Sequence, residues 1–221
     1  MTLAHLGAEA YRLRLMGRIE RRLGDAGYAL VAGVDEVGRG SLAGPVVAAA
    51  VIPDSRKLVP GVDDSKRLSA SQREELAGWI CSASIATSVV PIPPEVIDRL
   101  NILESTRRAM IAAIEQLRPA PDAVLVDAVA LRGTSMPCFS FVRGDSLSYA
   151  IACASILAKV ERDRMMRDLD RDYPHYGFAA HKGYGAPEHL EALRTFGPCP
   201  VHRLTFRSVL PQKSASLSRS C

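Results

Sequence analysis

The sequence predicts an α/β fold in which helices flank a mixed five-stranded sheet. Short runs of small and β-branched residues alternate with longer segments whose apolar residues recur at helical spacing. Three of the short runs end in a carboxylate, which is typical of strands whose carboxyl ends meet at a functional edge of a sheet. The predicted strands cover residues 28–35, 44–52, 85–92, 122–127 and 139–145.

The composition is that of a folded protein. The chain has 221 residues, and 48% of them are hydrophobic, which is enough for a sizeable core. Its net charge of +4 permits a polyanionic partner without establishing one. The five cysteines are widely spaced and form no Cys-x-x-Cys pair, so we expect them to be reduced and not to bind zinc. With no apolar run near the ~20 residues of a membrane span and no signal peptide, we expect a cytoplasmic protein without a membrane partner.

Helices are predicted on both sides of the strands. They cover residues 3–23, 69 or 71 to about 82, 93–117, 146 or 148 to about 169, and 187–196. If Ser71 rather than Ser69 caps the second helix, Glu74 completes a capping box. The fourth helix is rich in Ala and Ser and should therefore press closely on the sheet. Its Lys159 and Asp163, four residues apart, are expected to form a surface ion pair.

The stretch Val31–Pro45 combines two acids with a glycine-rich loop. Asp35 and Glu36 end an apolar run, and Gly38-Arg39-Gly40 follows. Glycines beside an arginine let a ligand approach the backbone and leave a guanidinium for a phosphate. The stretch matches neither the dinucleotide-binding fingerprint nor a P-loop. Because neighbouring strand residues face opposite ways, the two acids can share a site only if the strand stops or bulges there.

Two later strands also run into acids, Asp127 and Asp145. If the first, fourth and fifth strands are parallel neighbours, these acids and Asp35 lie at one edge of the sheet. Such a cluster needs a cation, because like charges a few ångströms apart otherwise force one another to protonate, and Mg2+ prefers oxygen ligands. The alternative is that all three are solvated charges at strand ends.

Two loops are candidates for contact with a polyanion. The first, Asp63–Ser69, is either a phosphate contact or a solvated loop before a helix. The second, His175–Gly185, interleaves aromatic and basic residues, which suits a nucleic-acid backbone because a ring can stack on a sugar or base while lysine meets phosphate. For His181 and Tyr184 a packing role is equally open.

Together these segments resemble bacterial ribonuclease HII, a type 2 ribonuclease H. The matching blocks are Asp35-Glu36-x-Gly-Arg-Gly-x-Leu-Ala-Gly-Pro, Asp64-Ser65-Lys66-x-Leu68-Ser69, Val126-Asp127, Gly144-Asp145, Ala154-Ser155-Ile156-Leu157-Ala158-Lys159-Val160 with Arg162-Asp163, and His181-Lys182-Gly183-Tyr184-Gly185. They span residues 28 to about 206 in the family's order. The resemblance implies a single ribonuclease H-like catalytic domain over residues 1–209, with a helical and loop part from about 170. Residues 210–221 are Ser-rich, and we expect a disordered tail there.

The resemblance also implies a catalytic metal site. Asp35, Glu36, Asp127 and Asp145 would be the catalytic carboxylates and would bind two Mn2+ or Mg2+ ions. The implied activity is hydrolysis of the RNA strand of RNA–DNA hybrids and nicking 5′ of single ribonucleotides in duplex DNA, leaving a 3′-hydroxyl and a 5′-phosphate. Such an enzyme removes misincorporated ribonucleotides, and we expect it to be a monomer.

Substrate contacts follow from the same resemblance. Gly38-Arg39-Gly40 would sense the ribonucleotide 2′-hydroxyl through its backbone, and Tyr184 would pack on the deoxyribose after the ribonucleotide. Lys66 is a candidate phosphate contact, and Ser65 and Arg143 complete the expected substrate-binding set.

The chain departs from the family at two positions without losing a carboxylate. Ala128 stands where the family usually has Gly, and Arg143 where it often has Lys. Two alternatives stay open at this point: a catalytically silent hybrid-binding module, and another metal nuclease of the same fold, such as a resolvase. The first would need a missing carboxylate, and the second would lack the Gly38-Arg39-Gly40 and Tyr184 blocks.

Overall fold

The structure, a computed structural model, describes residues 3–210. Its helices are α1 (Leu3–Met16), α2 (Arg18–Asp25), α3 (Ala70–Ala83), α4 (Pro94–Leu100), α5 (Ile102–Gln116), α6 (Gly144–Leu147), α7 (Tyr149–Asp172), α8 (Phe178–His181) and α9 (Pro187–Phe196). Its strands are β1 (Val31–Val37), β2 (Val46–Pro53), β3 (Ser84–Ile92), β4 (Ala123–Asp127) and β5 (Cys138–Phe141). Short 3-10 turns cover Ser65–Arg67 and Pro174–Tyr176. The expected disordered tail, apart from Leu210, lies outside the described residues.

The five strands form one mixed sheet in the order β3-β2-β1-β4-β5. β2 pairs antiparallel with both β1 and β3, whereas β1, β4 and β5 are parallel neighbours. The predicted fold class is therefore confirmed, and the first, fourth and fifth strands meet the condition of being parallel neighbours. The arrangement brings the carboxyl ends of β1, β4 and β5 to the same edge of the sheet.

Helices cover both faces of the sheet, as the alternation of side chains along β2 requires. Ala49 and Val51 pack with α7 and α3 on one face, whereas Ala48, Ala50 and Ile52 pack with α5 on the other. The small residues of α7 allow the close approach that the sequence predicts. A Cβ added to Gly33 of β1 would lie 2.1 Å from the carbonyl carbon of Ala150, so only glycine fits there.

Two helices predicted as continuous are broken. The first is interrupted at Gly17, between α1 and α2. The helix predicted over residues 93–117 is interrupted at Asn101, whose φ of 72° is left-handed. The Asn101 side chain accepts a hydrogen bond from the backbone N–H of Glu104 and so caps α5. Hydrophobic periodicity missed both breaks because each depends on the conformation of one residue.

The ends of two strands also differ from the prediction. β1 starts three residues later than predicted and continues through Glu36 to Val37, so Asp35 does not end it. β5 stops at Phe141; Arg143 then adopts a left-handed φ of 58°, and Asp145 lies in the short helix α6. A strand cannot continue through a left-handed residue, and the chain turns there instead.

The helix caps resolve two choices that the sequence leaves open. Ser69 caps α3 in a capping box with Gln72, so the Ser71 alternative with Glu74 is wrong. Ser148 caps α7 by accepting from the backbone N–H of Ile151. Among residues 3–210, no helix has the length and apolar character needed to cross a bilayer.

Candidate active site

A cavity of about 380 Å³ lies at the edge of the sheet where β1 and β4 end. Six residues singled out from the sequence line it: Asp35, Glu36, Ser65, Lys66, Asp127 and Tyr184. Asp145 does not line the cavity itself, but it contacts Lys66, which does line it. Arg39 and Gly40 flank the cavity, since Arg39 donates to Glu36 and Gly40 faces the ring of Tyr184, whereas Gly38 packs against Arg162. Arg143 is exposed and does not belong to the lining.

Asp35 is the most deeply buried of the acids that line the cavity, with 6% of its surface exposed. Burial raises its pKa well above the ordinary value, and the charges of Glu36 and Asp127 raise it further. A hydrogen bond from the Ser155 hydroxyl opposes this rise. The Ser155 oxygen also lies 2.9 Å from the Ser65 hydroxyl oxygen. Either hydroxyl can be the donor in that second contact.

Glu36 shares the cavity with Asp35 even though β1 neither stops nor bulges between them. Asp35 is paired with Ala49 and Glu36 with Ala48 in unbroken register, so the condition set from the sequence is not met. β1 pairs with β4 only as far as Val34, which leaves this part of β1 open on one side. Glu36 accepts a 3.1 Å hydrogen bond from Arg39, while its other oxygen is buried without a partner among the described residues.

Asp127 and Asp145 are held by groups from different parts of the chain. Asp127 accepts a 2.7 Å hydrogen bond from the backbone N–H of Gly144. Burial and the charge of Asp145 raise the pKa of Asp127, against that hydrogen bond. Lys66 lies 3.1 Å from Asp145 and 3.9 Å from Asp64. Burial lowers the pKa of Lys66, but the hydrogen bond and charge of Asp145 outweigh it and raise the pKa overall.

The four carboxylates lie in one region, but their oxygen atoms do not point to a common position where a metal ion could bind. Between residues 3 and 210, no three Asp, Glu, His or Cys side chains are arranged to hold a metal ion as they stand. Glu36, Asp127 and Asp145 are turned to Arg39, a backbone amide and Lys66 respectively. Their chemistry nevertheless fits a hard divalent cation: all donors are carboxylate oxygens, and one buried oxygen of Glu36 lacks a partner among the residues described.

The two glycine-rich loops meet beside the cavity. A Cβ added to Gly40 would lie 3.9 Å from the ring of Tyr184, and the backbone N–H of Leu42 donates to the carbonyl of Gly183 at 2.7 Å. The guanidinium of Arg162 lies 5.5 Å from the centre of the Tyr184 ring. The sequence motifs that contain Gly40 and Tyr184, more than 140 residues apart, therefore form one surface.

A buried pair of histidines fixes the backbone of Tyr184. His189 Nδ1 lies 2.8 Å from the Tyr184 carbonyl oxygen, which can only accept, so this nitrogen carries the proton. His189 Nε2 must then accept from His202 Nε2, 3.0 Å away. His202 Nδ1 in turn accepts from the backbone N–H of Cys199. Burial lowers the pKa of His189, and burial together with the neighbouring His189 lowers that of His202 to about 4, so both rings are neutral near pH 7.

Four further residues, which the sequence did not place in the site, also line the cavity, namely Val37, Arg73, Ser155 and Lys159. Asp163 is buried and holds both cations, at 2.7 Å from Lys159 and 3.8 Å from Arg73. The predicted Lys159–Asp163 pair is confirmed, but it lies at the cavity rather than on an open surface. The helical spacing of Ser155 and Lys159, which puts both on one face of α7, is the signal that could have found them.

The family model of ribonuclease HII matches residues 32–209. The chain belongs to the ribonuclease HII family. The ribonucleases HII of Ruminiclostridium cellulolyticum and Geobacter metallireducens are each 50% identical to it, over 90% and 89% of this chain and 78% and 92% of their own lengths. This membership makes the chain a ribonuclease H enzyme and decides against the silent binding module and the resolvase.

Solved structures agree with the fold. Ribonuclease H2 from Pyrococcus horikoshii OT3 is 27% identical, with a TM-score of 0.71 over 81% of this chain and 94% of its own. The ribonuclease HII of Archaeoglobus fulgidus, solved in a complex with PCNA, is 31% identical, with a TM-score of 0.69 over 84% and 98%. Bst-RNase HIII, solved in complex with Mn2+, is 21% identical with a TM-score of 0.57, over 81% and 68%, and shares the ribonuclease H-like fold.

Proposed function

We propose that this chain is an endoribonuclease that cleaves the RNA strand of RNA–DNA hybrids and nicks duplex DNA 5′ of a single ribonucleotide. The products would carry a 3′-hydroxyl and a 5′-phosphate, and the role would be removal of misincorporated ribonucleotides in the cytoplasm. Residues 1–209 would form one catalytic domain, and the enzyme would act as a monomer.

One observation carries this proposal: the acids Asp35, Glu36, Asp127 and Asp145 gather at one edge of the sheet, directly beside the place where Gly40 faces the ring of Tyr184. A strongly acidic cavity repels a polyanion unless cations intervene. The proximity of a backbone loop and an aromatic ring supports a substrate that offers a sugar as well as a phosphate. Solvated strand-end charges would not be buried as Asp35 and Asp145 are, at 6% and 4% exposure.

Asp35, Glu36, Asp127 and Asp145 are the residues that would hold two divalent cations, Mg2+ or Mn2+. Cations bound there would activate a water for attack on the phosphate and stabilise the leaving 3′-oxygen. The Mn2+ complex of Bst-RNase HIII supports divalent metal chemistry on this fold. The hydrogen bond from Ser155 orients Asp35, and the backbone N–H of Gly144 orients Asp127.

The remaining residues bind and select the substrate. Lys66, whose side chain is 78% exposed, would contact a phosphate together with Ser65 beside it. Arg39, held by Glu36, and the exposed Arg143 would add charge along the backbone of the nucleic acid.

Selection of the ribonucleotide would depend on two neighbouring groups. The backbone amides of the Gly38–Gly40 loop would bind the 2′-hydroxyl, the group that distinguishes RNA from DNA. Tyr184 would pack on the deoxyribose of the next nucleotide. A substrate that makes both contacts must then have a ribonucleotide followed by a deoxyribonucleotide.

The proposal is tested by determining which phosphodiester bond is cleaved and which chemical groups the product ends carry. A labelled DNA duplex with one ribonucleotide is incubated with the chain and Mn2+ or Mg2+, and the nick is mapped against a ladder. A DNA polymerase then probes the upstream end, which it extends only from a 3′-hydroxyl. We expect one nick 5′ of the ribonucleotide and an extendable end. Cleavage 3′ of the ribonucleotide, or an end that cannot be extended, would refute the proposed reaction.

A further inference from the structure

Two buried arginines lie beneath the loops that flank the cavity. Arg162 of α7 and Arg203, which follows α9, are each 0% exposed. Within residues 3–210, their side-chain hydrogen bonds all go to backbone carbonyls and none goes to a carboxylate. A buried cation without an acidic partner is costly, so stability alone does not explain these residues.

The carbonyls that the arginines hold belong to the two loops. Arg203 donates to the carbonyl of Arg39 at 3.1 Å and, from two nitrogens, to that of Gly44 at 3.0 and 2.9 Å. Arg162 donates to Pro45 at 2.9 Å, to Ala43 at 3.3 Å and to Lys182 at 3.0 Å. Together they connect the Gly-Arg-Gly loop and the turn behind it to the residues just before Tyr184.

The packing around these guanidiniums leaves little freedom. A Cβ on Gly38 would lie 2.1 Å from Arg162 Nε, and a Cβ on Gly183 would lie 2.6 Å from the Ala43 carbonyl oxygen. Both glycines also have left-handed φ, of 92° and 78°. The guanidinium suits this role because its planar fork has five donors in fixed directions, whereas lysine presents a single flexible charge.

We propose that Arg162 and Arg203 are positioning residues that set the distance between the Gly38–Gly40 loop and Tyr184, and thereby the preference for a ribonucleotide followed by deoxyribose. The inference rests on the proposed function. In a continuous RNA–DNA hybrid the next sugar is a ribose, so cleavage there depends less on this distance. Loss of either guanidinium group should therefore impair nicking at a single ribonucleotide more than cleavage of a hybrid.

The experiment compares kcat/KM on a duplex with one ribonucleotide and on a continuous RNA–DNA hybrid. For Arg162→Lys and Arg203→Lys we expect the ratio of the first to the second to fall about tenfold or more, because misplacement by about 1 Å can cost a hundredfold. Arg164→Lys is the matched control: Arg164 lies on the same helix, is exposed and pairs with Glu161 and Asp168, so the ratio should not change.

One result would overturn the inference: a ratio that stays unchanged in both lysine variants, whether activity is kept or falls equally on both substrates. Thermal unfolding of each variant checks folding. If the lysine variants do not fold, Gly183→Ala takes their place, since it separates the two loops while both arginines remain; an equal loss on both substrates would again overturn the inference. Failure of the proposed function would be seen separately, as a parent chain that nicks no single-ribonucleotide duplex.

Discussion

The hydroxyl oxygen of Ser155 on α7 lies 2.9 Å from that of Ser65, in the loop before α3. Ser155 also hydrogen-bonds Asp35, so one buried hydroxyl connects this acid with the loop that carries Lys66. The three side chains come from parts of the chain that are 30 and 90 residues apart. The orientation of Asp35 therefore depends on α7.

Replacing Ser155 should impair catalysis without unfolding the protein. Ser155→Ala removes the hydrogen bond that opposes the raised pKa of Asp35, so the carboxylate becomes harder to ionise and less well oriented. We expect kcat to fall by about 10- to 100-fold, the scale typical of residues that orient metal ligands. Activity measured against Mn2+ concentration should show a higher requirement for the metal.

Ser105→Ala is the control for that change. Ser105 is equally buried, and its hydroxyl has no hydrogen-bond partner among residues 3–210. Its replacement should leave kcat and the metal requirement unchanged. Equal activity in Ser155→Ala and the parent would show that Asp35 does not need this hydroxyl.

The stability of the protein should depend on pH through His202. Its pKa is lowered to about 4, whereas an unfolded histidine titrates near 6.5, so the unfolded chain binds the proton more readily. The contribution of His202 is complete above about pH 6.5 and is lost as the pH falls towards 4, at a cost of about 2–3 kcal/mol. Urea unfolding between these pH values should show the decline.

Two variants distinguish the effect of His202 on stability from that of other titrating groups. His202→Gln cannot titrate, so its free energy of unfolding should decline less than that of the parent between pH 6.5 and 4. The exposed His175 provides the control, since His175→Gln should keep the parent's dependence on pH. A decline of the same size in His202→Gln and the parent would contradict the assignment.

Contact between β1 and α7 should depend on Gly33. Gly33→Ala would put a methyl group 2.1 Å from the carbonyl carbon of Ala150, and backbone atoms cannot move aside as a flexible side chain can. We expect a loss of about 3 kcal/mol or more, measured as the free energy of unfolding. Gly78→Ala, in the interior of α3 with nothing within 4 Å, should instead gain about 0.5–1 kcal/mol. Similar stabilities of the two variants would refute the close packing.

Patterns within each segment were enough to predict the strands and their carboxylates. Alternation of apolar runs, together with the rule that sites form at the carboxyl ends of parallel strands, is sufficient to place Asp35 and Asp127 at one edge of the sheet. The same reasoning put Asp145 at the end of β5, whereas it lies in α6 because Arg143 turns the chain out of the strand.

What the sequence could not predict depends on contacts between distant residues. Arg162 holds a carbonyl 117 positions away, and Arg203 holds one 164 positions away. Ala128, noted as a departure from the family, has a φ of 50°, which explains why glycine suits that position. Single residues of this kind leave no periodic pattern, so only the folded chain reveals them.

Cleavage at a ribonucleotide should depend on the four carboxylates. The most direct measurement is cleavage, in Mn2+ or Mg2+, of a DNA duplex with one ribonucleotide and of the same duplex made only of DNA, by the parent and by Asp35→Asn. We predict that the parent cuts only the first duplex and that Asp35→Asn is at least about 100-fold slower. Equal cutting of both duplexes by the parent, or undiminished cutting by Asp35→Asn, would contradict the account.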